Sequence, residues 1–209
     1  MTPEFLAARR IVRRGQVLTV LGLLAAAAVY VIAIYFTPVE VRQGPAQKIF
    51  YVHAPAAWGA LVAFAVVGLV SILYLWLHDE RLDLFAASSA EVGIAFSLVM
   101  LTTGPIWGKT VWGTWWTWDA RRTLTLFLFF LFSAVVGIMG LVLGPFIHLS
   151  VYLFRTLHPQ PVLLKPSAPS MPPEMLRALL SGMAAFTVLY IGFVVLRYGL
   201  ARLDNLREG

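Results

Sequence analysis

Tryptophan is concentrated in one short stretch of this chain. Five of its seven tryptophans lie in the segment WGKTVWGTWWTWD, which runs from Trp107 to Asp119. If the middle of the segment is helical, one face carries residues at i, i+3, i+4 and i+7, namely Trp112, Trp115, Trp116 and Asp119. Such a face could bind a large planar apolar ligand, with Asp119 and the following arginines at its polar edges. The alternative is an aromatic belt that anchors a loop at the membrane–water boundary.

Two histidines, each placed where a loop meets an apolar run, are the candidate metal ligands. They are His53 in YVHAPAAW and His158 in RTLHPQP. Neutral imidazole is a common metal ligand, and haem iron readily takes two axial histidines. A lone interfacial histidine is more often solvated or hydrogen-bonded, but two of them beside a tryptophan-rich segment favour a ligand role. We interpret His78 as a solvated turn residue and His148 as a packed, hydrogen-bonded histidine.

Composition identifies the class of protein. The 209 residues are 60% hydrophobic and 12% charged, with a mean hydropathy of +0.82. A soluble domain has about 25% charged residues, so we expect an all-α polytopic membrane protein with a single membrane domain, 1–209. The absence of cysteine excludes disulfides, iron–sulfur clusters, thiolate-bound metal and thiol–disulfide exchange on this chain. We predict no cleavable signal peptide, because the first apolar run is long enough to span the membrane.

Apolar runs and flanking arginines predict the transmembrane topology. Four arginines, Arg9, Arg10, Arg13 and Arg14, precede the first run and place the N-terminus in the cytoplasm. We predict six transmembrane helices, at 17–36, 55–77, 84–106, 121–135, 138–156 and 177–196. Pro55 would begin the second helix, where the missing N–H of proline costs little. The tryptophan segment 107–120 would then be periplasmic, on the same side as His53 and His158.

The stretch 123–157 is the least regular part of this topology. Its 35 residues carry one formal charge, Arg155, whereas one span needs about 20 residues and two need about 40 plus a turn. As a single span it would place the C-terminal arginines outside, against the positive-inside rule. Two short spans return both termini to the cytoplasm, and we favour that interpretation.

Glu91 is an acid within the predicted third span. It lies close enough to the cytoplasmic boundary to reach the interface or to pair with Arg81. Intramembrane acids usually face protein, so a polar contact to another helix or subunit is the functional alternative. We favour the structural interpretation.

The segment WGTWWTWDARRT resembles the signature of the WWD family of haem-handling membrane proteins. The resemblance extends to IFYVHAPAAW, TTGPIWGKTVWGTWWTWDAR and PFIHLSVYLFRTLHP, and within the WWD proteins it is strongest to the CcmC, or haem exporter protein C, family. That family belongs to the System I pathway of cytochrome c maturation. The resemblance implies six transmembrane helices in the bacterial inner membrane, both termini cytoplasmic, and a haem site on the periplasmic side.

The resemblance also implies a role for each candidate residue. His53 and His158 would be the axial ligands of a non-covalent, transiently bound haem b. The macrocycle would be contacted by the tryptophan segment, comprising Trp112, Trp115, Trp116, Trp118 and Asp119. The propionates would meet the nearby cations, Lys109, Arg121 and Arg122. No catalytic residue is predicted.

The resemblance further implies a set of partners. Haem would be presented to the periplasmic chaperone CcmE, whose own histidine becomes covalently attached to the haem. The ABC transporter CcmA/CcmB and the small protein CcmD would promote release of the loaded chaperone. The chain itself has no Walker motif for ATP hydrolysis, so we interpret it as a haem-handling component and not as a stand-alone enzyme. We expect no nucleic-acid partner.

The chain departs from the family pattern at two places. The family usually has Arg-Leu-Thr after the aspartate, where this chain has Arg121-Arg122-Thr123. The charged turn that the family has between spans four and five is absent here.

Two other functions are the alternatives to haem delivery. A System II synthetase or CcmF-type ligase would be a much longer chain with further histidines. A membrane electron carrier with a permanent bis-histidine b-type haem would place both ligands in the bundle interior, whereas His53 and His158 flank outer loops.

Overall fold

The described part of the chain consists of helices joined by short loops. The computed structural model describes residues 2–133, 149–150, 153, 163 and 171–208, and these residues contain no β-strand. The α-helices are α1 (Pro3–Phe36), α2 (Phe50–Leu77), α3 (Glu80–Trp112), α4 (Ala120–Ser133) and α5 (Pro173–Glu208), and a short 3-10 helix, Pro45–Ile49, precedes α2.

Four of these helices are long and apolar enough to cross a membrane. They are α1, α3, α5 and the continuous helical stretch Pro45–Leu77 that contains α2. They contain the predicted spans 17–36, 55–77, 84–106 and 177–196, so the prediction of a multi-pass all-α chain is confirmed. The predicted span 121–135 coincides with α4, which is described for 14 residues. The span 138–156 lies almost wholly outside the described residues, and the total of six stays a prediction.

The second helix starts earlier than predicted. Pro55 does not begin α2, because the helix begins at Phe50, directly after the 3-10 helix, and Pro55 lies inside it. Proline has no N–H to donate to the carbonyl of Tyr51, four residues earlier. Gly182 of α5 approaches this point so closely that a Cβ on it would lie 3.0 Å from Pro55 Cγ. The extra turns bring His53 into the helix.

Helix α1 packs antiparallel along α5 through glycines. A Cβ on Gly22 would lie 2.6 Å from Leu189 Cα, and one on Gly199 would lie 2.9 Å from the backbone nitrogen of Val12. Small residues let two helix backbones approach this closely, which is a common way for helices to associate in membranes. The start of α1 therefore lies beside the end of α5.

The main core lies between α2, α3 and α5. Phe96 of α3 is at its centre and meets the rings of Phe186, Tyr190 and Phe193 edge-on. Leu128 of α4 is 3% exposed and belongs to the same cluster, so α4 enters the bundle. In that interior the hydroxyls of Ser89 and Tyr190 share a 2.6 Å hydrogen bond.

Glu91 pairs with α5 and not with Arg81, which corrects one sequence expectation. Its carboxylate accepts hydrogen bonds from Arg197 at 2.5 and 2.9 Å. Arg81 instead pairs with Asp79, whose side chain also accepts a hydrogen bond from the Arg81 backbone N–H at the start of α3. Those bonds lower the pKa of Asp79 below its ordinary value. The contact to another helix that we weighed as the alternative for Glu91 is thus an intrachain ion pair.

One end of the bundle collects the segments that carry the candidate site. The end of α1, the start of α2, the end of α3 and the start of α5 meet there, with Met175 of α5 packed among Ala33 and Tyr51. Lys48 holds the connection between α1 and α2 by donating to the carbonyls of Ala33 and Thr37, at 2.9 and 2.6 Å. A cation on the last carbonyls of a helix stabilises that end. We name this the tryptophan end of the bundle.

Candidate functional site

His53 lies in the first turn of α2, half-buried against α3. Its Nδ1 is 3.0 Å from Thr103 Oγ1, and its ring meets that of Trp107 edge-on, with 5.7 Å between centroids. The sequence predicted a loop–span junction, and the early start of α2 replaces it with a helical position. The backbone of a regular helix and the contacts from α3 give the imidazole a defined orientation.

Trp107 is the centre of the aromatic packing around His53. It is 4% exposed, and its Nε1 donates a 3.0 Å hydrogen bond to Oε1 of Gln43 in the loop before α2. The rings of Phe50 and Trp112 lie 5.8 and 5.7 Å from it. This tryptophan therefore joins the end of α3 to the start of α2.

The tryptophan segment is not a continuous helix, so the predicted shared face is wrong. Helix α3 ends at Trp112, and Gly113 adopts a left-handed conformation with φ 74°. Glycine commonly ends helices in this way because it has no Cβ to clash. Lys109 reinforces the turn by donating from Nζ to the Gly113 carbonyl at 3.1 Å. Residues 113–119 lie in no helix and include two bends, and we call them the tryptophan loop.

Asp119 and Arg122 hold the end of the tryptophan loop. Asp119 Oδ1 accepts from the backbone N–H of Arg122 at 3.2 Å, as an N-cap of α4. The Arg122 guanidinium donates to Thr117 Oγ1 at 2.8 Å and lies 3.7 Å from Asp119 Oδ2. Both charged side chains are buried, at 10% and 6% exposed. We call Asp119, Arg122 and Thr117 the loop clasp.

Arg122 also contacts the end of α3. Its guanidinium lies over the Trp112 ring, 5.9 Å from the centroid, and a Cβ on Gly108 would come within 2.9 Å of its Nη2. The absence of a side chain at Gly108 thus leaves room for the guanidinium. The residues that sequence reasoning assigned to ligand edges here make contacts inside the protein.

The remaining tryptophans of the loop differ in exposure. Trp115 is 57% and Trp118 is 76% exposed, while Trp116 is half-buried with its ring 5.8 Å from that of Trp118. The Nε1 of Trp116 is buried and has no acceptor among the described residues. The loop consequently offers the apolar ring surface of Trp115 and Trp118.

The other predicted site residues are placed as follows. Lys109 is exposed at the end of α3, and Arg121 is partly buried in the first turn of α4. Lys109, Arg121 and His53 thus come together at the tryptophan end with the loop. His158 lies outside the described residues, as does His148. His78 ends α2 in a left-handed conformation, far along the helix from His53.

Comparison with known proteins decides the family. The sequence model of the family described as CcmC, heme exporter protein C, matches residues 4–139. The heme exporter protein C of Haemophilus influenzae is 32% identical over 192 residues, which cover 83% of this chain and 77% of that protein. This chain belongs to the CcmC family.

Further relatives come from bacteria and from a plant. The heme exporter protein C of Bradyrhizobium diazoefficiens is 32% identical over 90% of this chain and 80% of its own length. A CcmC-like mitochondrial protein of Marchantia polymorpha, whose name refers to cytochrome c biosynthesis, is 39% identical over 65% of this chain and 64% of its own length. This CcmC-family chain is therefore a multi-pass membrane protein with a role in haem handling for cytochrome c biogenesis.

Sequence reasoning missed three residues that shape the site. Thr103, Trp107 and Gln43 surround or support His53, and none of them was assigned a role. Thr103 had a detectable signal, because a hydroxyl in an apolar span one turn before the tryptophan segment needs a polar contact. The Gln43–Trp107 hydrogen bond had no detectable signal in the sequence, since 64 residues separate its partners.

Proposed function

We propose that this CcmC-family protein binds haem b, non-covalently and transiently, and presents it to CcmE during cytochrome c maturation. The observation that carries the proposal is the position of His53 beside the tryptophan segment, at one end of one bundle. A candidate iron ligand and a candidate surface for the macrocycle therefore occur together. The family comparison supports the same class of ligand.

The residues present fit a haem. The macrocycle is flat and largely apolar, and the exposed rings of Trp115 and Trp118 offer it stacking area. A propionate oxygen would satisfy the buried Trp116 N–H, which has no acceptor in the part of the chain described. When bound, haem would supply the iron and the vinyl groups that the chaperone uses. The protein's own residues would hold and orient it.

We assign the remaining residues by their contacts. His53 would be one ligand of the haem iron, and His158 is proposed as the other. Lys109 and Arg121 are the proposed propionate partners, since charge-assisted bonds are strong in a half-dry site. Asp119 and Arg122 act by keeping the tryptophan loop in shape, because both side chains are already paired and buried.

We propose six spans in a bacterial inner membrane, with both termini cytoplasmic and the tryptophan end periplasmic. Helix α3 ends and α5 begins at the tryptophan end, and we propose two further crossings of the bundle between them. The insertion of α4 into the core favours two crossings over none. The arginines at the start of α1 and the end of α5 lie at the opposite end, as the positive-inside rule requires.

The proposed partners follow from this orientation. A periplasmic chaperone such as CcmE would approach the exposed Trp115 and Trp118. The ABC transporter CcmA/CcmB and CcmD would pack against the membrane-facing helices, where α1 exposes many large apolar side chains.

The test of the function is a visible absorption spectrum of protein purified after haem-replete expression. We expect a Soret band in the wild type that is strongly reduced in His53→Ala and in His158→Ala. His78→Asn is the matched control, because asparagine tolerates the left-handed conformation at that position. A wild type without a Soret band, or histidine variants that keep it unchanged, would refute the proposal.

The role of the tryptophan loop has a separate test. We expect Trp115→Ala combined with Trp118→Ala to lower both haem content and haem-loaded CcmE. Trp76→Ala is the control, because that ring is 79% exposed but lies at the far end of α2. If both changes lowered haem content and haem-loaded CcmE equally, the loop would act only as a membrane anchor.

A further inference from the structure

We propose that Thr103 is a positioning residue that sets the tautomer and orientation of His53. The Thr103 hydroxyl accepts the Nδ1–H of the imidazole and leaves Nε2 as the nitrogen without a proton. That nitrogen is the one able to coordinate a metal ion. The functional meaning of the inference rests on the proposed haem site, whereas the tautomer itself does not.

The hydrogen-bond inventory of Thr103 assigns the direction of the contact. Its Oγ1 lies 2.7 Å from the carbonyl oxygen of Val99 and 3.3 Å from that of Met100. A carbonyl oxygen can only accept, so the single hydroxyl proton is directed to the backbone of α3. The lone pairs of Oγ1 then face His53 Nδ1 at 3.0 Å, and the proton in that bond belongs to the imidazole. The Met100 carbonyl in the same turn of α3 also accepts a hydrogen bond from the ring, and a carbonyl, like Oγ1 here, can only accept.

Helix geometry places the other contacts on the same ring. Gly104 follows Thr103, and a Cβ there would lie 3.2 Å from His53 Cε1, tighter than an ordinary contact. Trp107, one turn further along α3, meets the imidazole edge-on. The imidazole of His53 is thus oriented by three neighbours on α3. Thr103 forms the hydrogen bond, Gly104 leaves room for the ring, and the Trp107 ring packs against it edge-on.

The tautomer matters for a ligand that must bind iron. A ligating histidine usually donates its second ring N–H to a neighbouring acceptor, which fixes the ring and raises its basicity. Protonation of neutral imidazole at Nε2 instead would remove the lone pair that this nitrogen uses to coordinate. Thr103 therefore prepares His53 before any ligand arrives.

The first experiment reads the tautomer in haem-free protein. The chain is labelled with ¹⁵N-histidine, and the His53 signals are assigned by their loss in His53→Asn. Protonated and bare ring nitrogens differ widely in ¹⁵N shift, so we expect Nδ1 to be protonated and Nε2 bare in the wild type. Thr103→Val should shift the population toward Nε2–H, and Thr103→Ser, which keeps the hydroxyl, should not.

Thr102→Val is the matched control. Its hydroxyl bonds only to the α3 backbone among the described residues, at 2.9 Å from the Leu98 carbonyl, and it is exposed. We expect this change to leave the His53 signals as in the wild type. A wild type that carries its proton on Nε2 would overturn the inference whether or not the variant folds. A folded Thr103→Val variant with an unchanged tautomer would overturn it as well.

The second experiment measures haem affinity in the same variants. Loss of such an outer hydrogen bond typically costs about 10- to 100-fold in metal affinity, and we expect a loss in that range for Thr103→Val with recovery in Thr103→Ser. If the wild type binds no haem, the proposed function fails while the tautomer result stands. If haem binds and Thr103→Val keeps wild-type affinity, the positioning role fails while the proposed function stands.

Discussion

At the scale of single residues, the loop clasp is a charged pair whose contacts lie within the protein. Arg122 and Asp119 are both buried, and each also bonds to Thr117. Removing one partner of a buried pair leaves the other charge uncompensated. Arg121 and Lys109, which we propose as propionate partners, looked equivalent to Arg122 in sequence.

We predict that Arg122→Met destabilises the protein by about 3 kcal/mol, the low end for a broken buried pair because the N–O distance is long. Thermal unfolding in detergent measures this. Arg177→Met is the control: it breaks an i,i+3 pair with Glu174 whose side chains are 75% and 50% exposed, and exposed pairs contribute little. Equal melting temperatures of the two variants would show that the clasp does not stabilise the loop.

At the scale of elements, the sequence located helices well and their ends poorly. Apolar runs identify membrane-length helices because the bilayer fixes their length, and four predicted spans lie inside described helices. The ends depend on local chemistry: Gly113 stops α3 within the tryptophan segment, and the 3-10 helix moves the start of α2 before Pro55. The tryptophan face failed for that reason, since its register assumed a helix through Gly113.

Contacts between residues far apart in the chain also could not be predicted from the sequence. Glu91 meets Arg197 across 106 positions, whereas the sequence offered Arg81 as the nearer cation. The approach of Thr103 to His53 depends in the same way on how α2 and α3 pack. The motif resemblance predicted His53 and the tryptophan segment as candidates, and the packing shows which residues contact them.

We predict that Gly192→Val weakens the docking of α1 on α5 by roughly 2 kcal/mol, within the range for overpacking. A Cβ at Gly192 would meet the backbone of Thr19 and Leu18 closer than 3.0 Å, so the helices must move apart. The free energy of unfolding in mixed micelles gives the magnitude. Ala28→Val, at an exposed position of α1, is expected to be neutral, and a similar loss there would point to helix propensity and not to packing.

At the scale of the whole molecule, the bundle has two chemically different ends. One end carries the arginines that precede the first apolar run, the turn at His78–Asp79 and the last turns of α5. The other carries His53 and the tryptophan loop. This polarity is what the proposed orientation in the membrane requires, with haem handled away from the basic end.

The absence of native cysteine allows a direct test of that orientation. We predict that Val41→Cys, at a position 97% exposed near the tryptophan end, reacts with a membrane-impermeant maleimide added outside spheroplasts. Arg81→Cys, at the opposite end, should react only after permeabilisation. The reverse pattern would invert the proposed topology and place the tryptophan loop in the cytoplasm.

The central claim is that His53 holds haem at the tryptophan end, and ligand rescue tests it most directly. His53→Gly removes the imidazole and leaves space for a free one. We predict that the purified variant has little Soret absorbance when loaded with haem and that added imidazole restores a wild-type spectrum. A variant whose spectrum equals that of the wild type before imidazole is added would contradict the account.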